Sequence, residues 1–128
     1  MKNMDFEEIK AMITGDPDLI VLVNLETGQE LHYKDTDVFG PMDGEFAGLD
    51  YYERTRLYAE KYVSPEDREA FRIEMEPERL KGLIRQGQTL RVEYNADFGR
   101  GEVRMRTSYI PAGAADDGLY AIKAVEKI

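Results

Sequence analysis

The 128-residue sequence contains no cysteine and only one histidine. Without cysteine there are no disulfides, no thiolate metal sites and no thiol nucleophiles, and the composition fits a reducing compartment. No stretch approaches the roughly 18 apolar residues of a membrane span. Residues 1–15 mix Lys2, Asp5, Glu7, Glu8 and Lys10 with apolar positions, which is not the pattern of a signal peptide. Positive charge is scarce: 17 Lys and Arg stand against 26 Asp and Glu, a net charge of −9. That balance argues against nucleic acid or an anionic membrane as a direct partner, because phosphate binding needs a basic surface. Its simplest role is solubility. There is no internal repeat and no low-complexity segment. What is present is a 42% hydrophobic complement in a chain long enough for one domain with a real core.

The hydrophobic pattern divides the chain into elements. Phe6, Ile9 and Ile13, with Met12 beside them, recur at helical spacing, and Gly15 with Asp16-Pro17 stops that helix. A helix this short is marginal alone, so its stripe must pack on something. Leu19 to Val23 is apolar on both faces, as is Leu119 to Val125 except for Lys123, so both strands belong in the middle of a covered sheet. Glu26-Thr27-Gly28 is a turn, and Gln29 to Tyr33 reads as an edge strand. Asp50 with Glu53 marks a helix start, and Tyr51, Tyr58 and Tyr62 then line one face of that helix. Ser64, Pro65 and Asp67 mark the next start as a second capping box, with Phe71 and Met75 one turn apart. Pro77 opens a helix carrying Leu80, Leu83 and Ile84, which Gly87 ends.

From Leu90 the period becomes two. Leu90, Val92 and Tyr94 face one way, and after the Gly99-Arg100-Gly101 reversal so do Val103, Met105, Thr107 and Tyr109. Arg91 and Glu93 could pair across this hairpin with Glu102, Arg104 or Arg106, at about 0.2–1 kcal/mol each. Ala112 to Gly118 reads as a loop. With the two most apolar strands as neighbours, the strands take the order 2-1-5-4-3, with helices over one face. The fold class is α+β, with an N-terminal amphipathic helix over residues 1–15 and the sheet-and-helix domain over 16–128.

Candidate chemistry is sparse. His32 is the one side chain expected to titrate near neutral pH, and no orienting partner is evident beyond nearby Asp35 and Asp37. Asp35-x-Asp37 with Gly40 and Asp43 resembles a calcium loop only faintly: Phe39 stands where a ligand belongs, and the twelfth position is Phe46 instead of a bidentate Glu. Asp116-Asp117-Gly118 is a turn signal. Ala112-Gly113-Ala114 lacks the Lys and the following helix of a phosphate loop. Glu69, Glu74, Glu76 and Glu78 read as a solvated helix surface. The aromatic stripe is the best candidate for a ligand pocket, with plain core packing as its alternative.

Three segments resemble the PAS domain, a signalling module. Tyr62-Val63-Ser64-Pro65-Glu66-Asp67-Arg68 is similar to the family's "hPeDr" helix start. Arg91-Val92-Glu93-Tyr94, leading through Gly101-Glu102-Val103-Arg104-Met105, is similar to its "E-Y-R … dG-x-x-R-W" hairpin, with Met105 where Trp is frequent. The closing Val125-Glu126-Lys127-Ile128 stands where many PAS domains end in Asp-Ile-Thr. Val23-Asn24-Leu25-Glu26-Thr27-Gly28 and the Tyr51-to-Tyr62 helix resemble PAS domains joined to GGDEF diguanylate cyclases or histidine kinases in bacteria. The Asn many PAS domains carry soon after the second strand is missing from Leu31-His32-Tyr33-Lys34.

The resemblance implies a cytoplasmic sensory or regulatory module, not itself an enzyme, that biases a linked diguanylate cyclase. A histidine-kinase sensor and a ligand-free protein-interaction domain are alternatives. A small α+β enzyme or carrier using His32 or a buried carboxylate is a third class of reading. No cofactor is expected. A flavin adduct needs a Cys, and haem needs a helical His where this chain has only His32 on a strand. An unidentified small molecule would sit among Tyr58, Tyr62, Phe71, Tyr94 and Met105. A homodimer would form through Phe6, Ile9, Met12 and Ile13, unless that stripe caps its own sheet.

Overall fold

A computed structural model describes residues 4–35 and 48–128 of the chain. Their elements in chain order are α1 (Phe6–Met12), β1 (Leu19–Asn24), β2 (Glu30–Lys34), α2 (Tyr51–Lys61), α3 (Pro65–Glu74), α4 (Pro77–Arg85), β3 (Leu90–Asp97), β4 (Glu102–Ala115) and β5 (Gly118–Lys127). The strands form one antiparallel sheet of order β2-β1-β5-β4-β3. The two strands with two-sided apolarity, β1 and β5, are central neighbours, paired from Leu19–Val125 to Asn24–Tyr120.

The alternation along these strands builds a core on each face of the sheet. Val21, Val23, Leu119, Ala121 and Val125 meet Tyr51, Ala59, Phe71, Met75, Leu80 and Ile84 from α2, α3 and α4. Ile20, Leu22, Tyr120 and Ile122 point the other way, where Met4, Ile9 and Ala112 cover them. So α1 packs on the sheet face opposite the other helices. Ile9 is fully buried there, Ile13 packs at its margin, and Phe6 and Met12 remain exposed. Of the four residues expected at a dimer contact, Ile9 is therefore committed to its own sheet, because Ile20, Leu22 and Ile122 need cover within the chain.

Two sequence expectations need correction. The first concerns Ser64 and Asp67, whose side chains form no capping box. Ser64 Oγ donates to Glu102 Oε2 at 2.8 Å, and Asp67 Oδ2 accepts the Asn95 backbone N–H at 2.7 Å. The cause is the edge position of β3, whose outer backbone groups want partners. The segment before α3 supplies them: Ser64 N–H donates to Asn95 O at 2.8 Å, Asp97 N–H donates to Tyr62 O at 2.9 Å, and Val63 bridges Ala96. The neighbouring start at α2 forms as expected, with Asp50 Oδ1 accepting Glu53 N–H at 2.9 Å and Glu53 Oε1 accepting Asp50 N–H at 3.4 Å.

The second correction concerns Ala112–Gly118, which is mostly strand. β4 continues to Ala115 and pairs Ala114 with Leu119 and Ala115 with Gly118, after a register shift between Pro111 and Ala114. Only Asp116 and Asp117 are left in the turn. Small residues let β4 follow β5 closely here. Gly118 lies so near Asn24 that an added Cβ would stand 2.2 Å from its Oδ1. Across the β3–β4 hairpin, Arg106 meets Glu93 at 3.5 Å and Glu126 at 2.7 Å, while Arg104 reaches Asp67 and Asn95.

Candidate functional site

The space between the sheet and α2–α4 has two chemically distinct ends. At the first, α2 brings Tyr58 over β3 and β4. Its hydroxyl lies 2.8 Å from that of Tyr94, which lies 2.7 Å from Thr107 Oγ1. Phe71 from α3 meets Tyr94 edge-on with centroids 4.8 Å apart, and Tyr58 meets Tyr94 at 6.1 Å and 90°. Met105, directly opposite Tyr94 in the β3–β4 ladder, is fully buried beside them. Tyr62 lies outside this knot, stacking on Phe98 at 5.5 Å and touching Tyr58 at 6.0 Å. The five residues expected to form a pocket are thus brought together, with Tyr62 at the margin. Burial raises the Tyr58 phenol well above its ordinary 10 and pushes Tyr94 up to about 12, because an ionised phenolate loses its hydration there.

A groove of about 410 Å³ opens between α2 and the α3–α4 corner, on the helical surface above this knot. Tyr51, Tyr52, Ala59, Phe71, Met75 and Pro77 give it a largely apolar lining, with Arg56 and Arg72 at its sides. Of the five expected residues, Phe71 is the one that lines it.

The second end holds charge. Tyr51 Oη donates to Tyr109 Oη at 2.5 Å, and burial raises both phenols. Lys123 on β5 stands directly across the ladder from Tyr109, with its Nζ 5.5 Å from the centre of the Tyr51 ring. Burial lowers the Lys123 pKa; the charge of Glu30 works against that shift and Arg54 adds to it. Glu30 is held by Arg54 Nε at 3.4 Å, and His32 Nε2 lies 3.7 Å from its other oxygen. Sequence reasoning missed Glu30, Arg54 and Tyr109. The single charge interrupting the apolar β5 was the one visible signal.

Of the two carboxylates near His32 in sequence, Asp35 meets it: Asp35 Oδ2 lies 3.1 Å from its Nδ1. Both ring nitrogens thus face carboxylates on an exposed edge strand, Glu30 on one side and Asp35 on the other. Asp37, Phe39, Gly40, Asp43 and Phe46 of the possible calcium loop lie outside the described residues. Among the described residues no three His, Asp or Glu side chains gather as metal ligands, and no helix is long and apolar enough to cross a membrane.

No family model matches the sequence, and no curated protein matches it. Solved structures do resemble it in fold. An RNA-binding light-oxygen-voltage receptor superposes with a TM-score of 0.57 at 10% identity, over 85% of this chain and 28% of the receptor. The PAS-B domain of Drosophila melanogaster Cycle with bound ethylene glycol superposes at 0.52 and 15% identity, over 86% of this chain and 99% of that domain. A tryptophan-to-alanine variant of the same domain with bound glycerol gives 0.51 and 17%. The chain spans little more than a quarter of the receptor's length. At these identities the likeness is one of fold, and the fold is that of a PAS domain.

Proposed function

We propose that this chain is a cytoplasmic sensory or regulatory module that senses a small molecule and biases a linked output domain, catalysing nothing itself. The observation that carries this reading is the PAS sheet order combined with a polar, hydroxyl-bearing interior beneath α2–α4. A purely structural core has little use for a Lys123 on its central strand. The proposed output domain is a GGDEF diguanylate cyclase, on the resemblance of Val23–Gly28 and Tyr51–Tyr62 to PAS domains joined to such enzymes. A histidine kinase is the alternative output. The proposed ligand pocket comprises Tyr58, Tyr62, Phe71, Tyr94 and Met105, without chromophore or metal. The protein should therefore be colourless and metal-free.

We also propose that the module dimerises, since two output domains must be brought together and a two-fold contact is the commonest way. Of the α1 stripe expected at a dimer contact, Phe6 and Met12 are left for this, at 40% and 37% exposure. Leu31 on edge strand β2, at 39%, offers a third. Native mass spectrometry of freshly purified protein tests both parts. A retained small molecule and a two-chain mass are the expected result. A second reading, a ligand-free interaction domain, draws on the close ring contacts of Phe71, Tyr94 and Tyr58. An interior that retains nothing would favour it.

A further inference from the structure

We propose that Lys123 and Tyr109 form a paired donor site for the carboxylate group of a small organic ligand. This rests on the reading of the domain as a ligand sensor and names the chemistry it would sense. The two residues are cross-strand partners on β5 and β4, so both side chains project from one face of the sheet, toward α2. Tyr109 is 1% exposed. Its hydroxyl oxygen accepts from Tyr51, and its own hydrogen finds no acceptor among the described residues. Lys123 is likewise hemmed in by protein, which disfavours its charge. No carboxylate of the described residues lies within ion-pair distance of its Nζ, which sits 5.5 Å from the centre of the Tyr51 ring. Glu30, whose charge reaches Lys123, is paired with Arg54 and has His32 beside it.

An ammonium that keeps little accessible surface and a buried phenol O–H, neither with an acceptor among the described residues, make a costly arrangement. One carboxylate satisfies both at once, with charge-assisted hydrogen bonds. A neutral carbonyl oxygen would satisfy the phenol and leave the ammonium charge uncompensated. Lys123 keeps some accessible surface while Tyr109 keeps almost none, so the ligand would arrive from the Lys123 side. The net charge of −9 offers no general attraction for anions. Selectivity must then come from this local pair.

The test uses the whole chain with acetate, succinate and benzoate, and with benzamide as the uncharged match to benzoate. Binding is followed by calorimetry and by the Lys123 side-chain Cε resonance, which needs no variant. At least one carboxylate is expected to bind and shift that resonance, while benzamide does not. Lys123→Met should weaken that carboxylate at least tenfold, and Tyr109→Phe roughly three- to tenfold. An unmoved resonance with all three carboxylates would overturn the proposal. So would equal affinity of wild type and Lys123→Met. A neutral molecule retained by the purified protein, with the Lys123 resonance unchanged on its removal, would overturn the carboxylate site while leaving the sensory reading in place.

Discussion

Replacing Asn24 with Ala should cost about 2–4 kcal/mol, an effect that its position in β1 alone would not forecast. Asn24 is fully buried at the end of the strand, and its side chain ties together two turns 93 residues apart in sequence. Its Oδ1 accepts the backbone N–H groups of Glu26 at 3.0 Å and Thr27 at 3.3 Å, while Nδ2 donates to the Asp117 carbonyl at 3.0 Å. A further contact to Tyr120 Oη, at 3.5 Å, is too long to count for much. Two good bonds and one longer one, at about 1 kcal/mol each, give roughly 2–3 kcal/mol. Glu26, Thr27 and Asp117 are exposed residues, so water can reach the groups left behind and the full penalty of an orphaned buried donor does not apply. The space vacated beside Gly118 adds roughly 1 kcal/mol. For a domain of this size that is a melting shift of roughly 10 °C. Urea denaturation followed by circular dichroism measures it directly. Gly118→Ala supplies the second arm, because the three atoms nearest its Cβ all belong to the Asn24 amide, while the strain of its φ of +157° is the same in either background. In the Asn24→Ala background the glycine substitution should lose at least about 1 kcal/mol of its cost, a coupling characteristic of touching residues. A loss below 1 kcal/mol for Asn24→Ala, or strict additivity of the two changes, would refute the reasoning.

Other outcomes follow from the same contacts. Ile9→Ala, at a fully buried position against Ile20, Leu22 and Ile122, should lower stability by about 2–4 kcal/mol in urea titrations, and an effect under 1 kcal/mol would mean that α1 does not cover the sheet. Asp67→Ala should cost about 1–3 kcal/mol by removing the acceptor of the Asn95 N–H, and amide exchange at Asn95 should speed up. In spectrophotometric titration the phenols of Tyr52 and Tyr94 should ionise near pH 12, and Tyr58 and Tyr109 later than free tyrosine. The fold favours these protonated phenols, so their stabilisation is complete below pH 10 and is lost as pH rises from 10 through about 12. Lys123 acts in the opposite sense: its native pKa lies below 10.5, so its penalty is present at low pH and relieved as pH climbs toward 10.5, and Lys123→Met should flatten that rise.

What the sequence made legible, and what it hid, divide along a physical line. Two-sided apolarity in Leu19–Val23 and Leu119–Val125 placed both strands at the sheet centre, because burial on two faces leaves a strand no other position. The Asp50–Glu53 box was legible because both partners are local. Ser64 and Asp67 carry the same local signal, yet their side chains serve Glu102 and the Asn95 N–H, groups some thirty residues away whose needs no local pattern records. The strand over Ala112–Ala115 was hidden for a similar reason. Its small residues have poor intrinsic strand preference and are held by pairing with Leu119 and Gly118. The aromatic stripe was legible as a stripe; that Tyr51 would meet Tyr109 and Tyr58 would meet Tyr94 was not, because the partners lie on strands that only the folded sheet brings beneath the helix.

This division bears on where function should be sought. A residue whose type agrees with both its local pattern and its place in the fold needs no explanation beyond packing. Val92 is such a residue, buried at an inward-facing position of an amphipathic strand. Lys123 agrees with neither. It interrupts a strand otherwise fit for the sheet centre, projects from the helix-covered face of the sheet, and meets an aromatic face with no carboxylate of the described residues in ion-pair distance. A methionine there would fill the same volume without the desolvation penalty, so retaining the ammonium sacrifices stability that an apolar side chain would supply. Tyr109 repeats the pattern one strand away: its oxygen serves the Tyr51 O–H, but its own hydrogen has no acceptor among the described residues. Two such residues directly opposite one another on one face are more economically explained by a shared polar partner than by two independent defects in one core. The Tyr58–Tyr94–Thr107 chain is polar as well, but Tyr94 has a neighbour for its hydroxyl on each side. It fixes the relative positions of α2, β3 and β4 whether or not a ligand is bound. A ligand at Lys123 would therefore act first on α2 through Tyr51, and the tyrosine chain would carry any displacement of that helix toward β3.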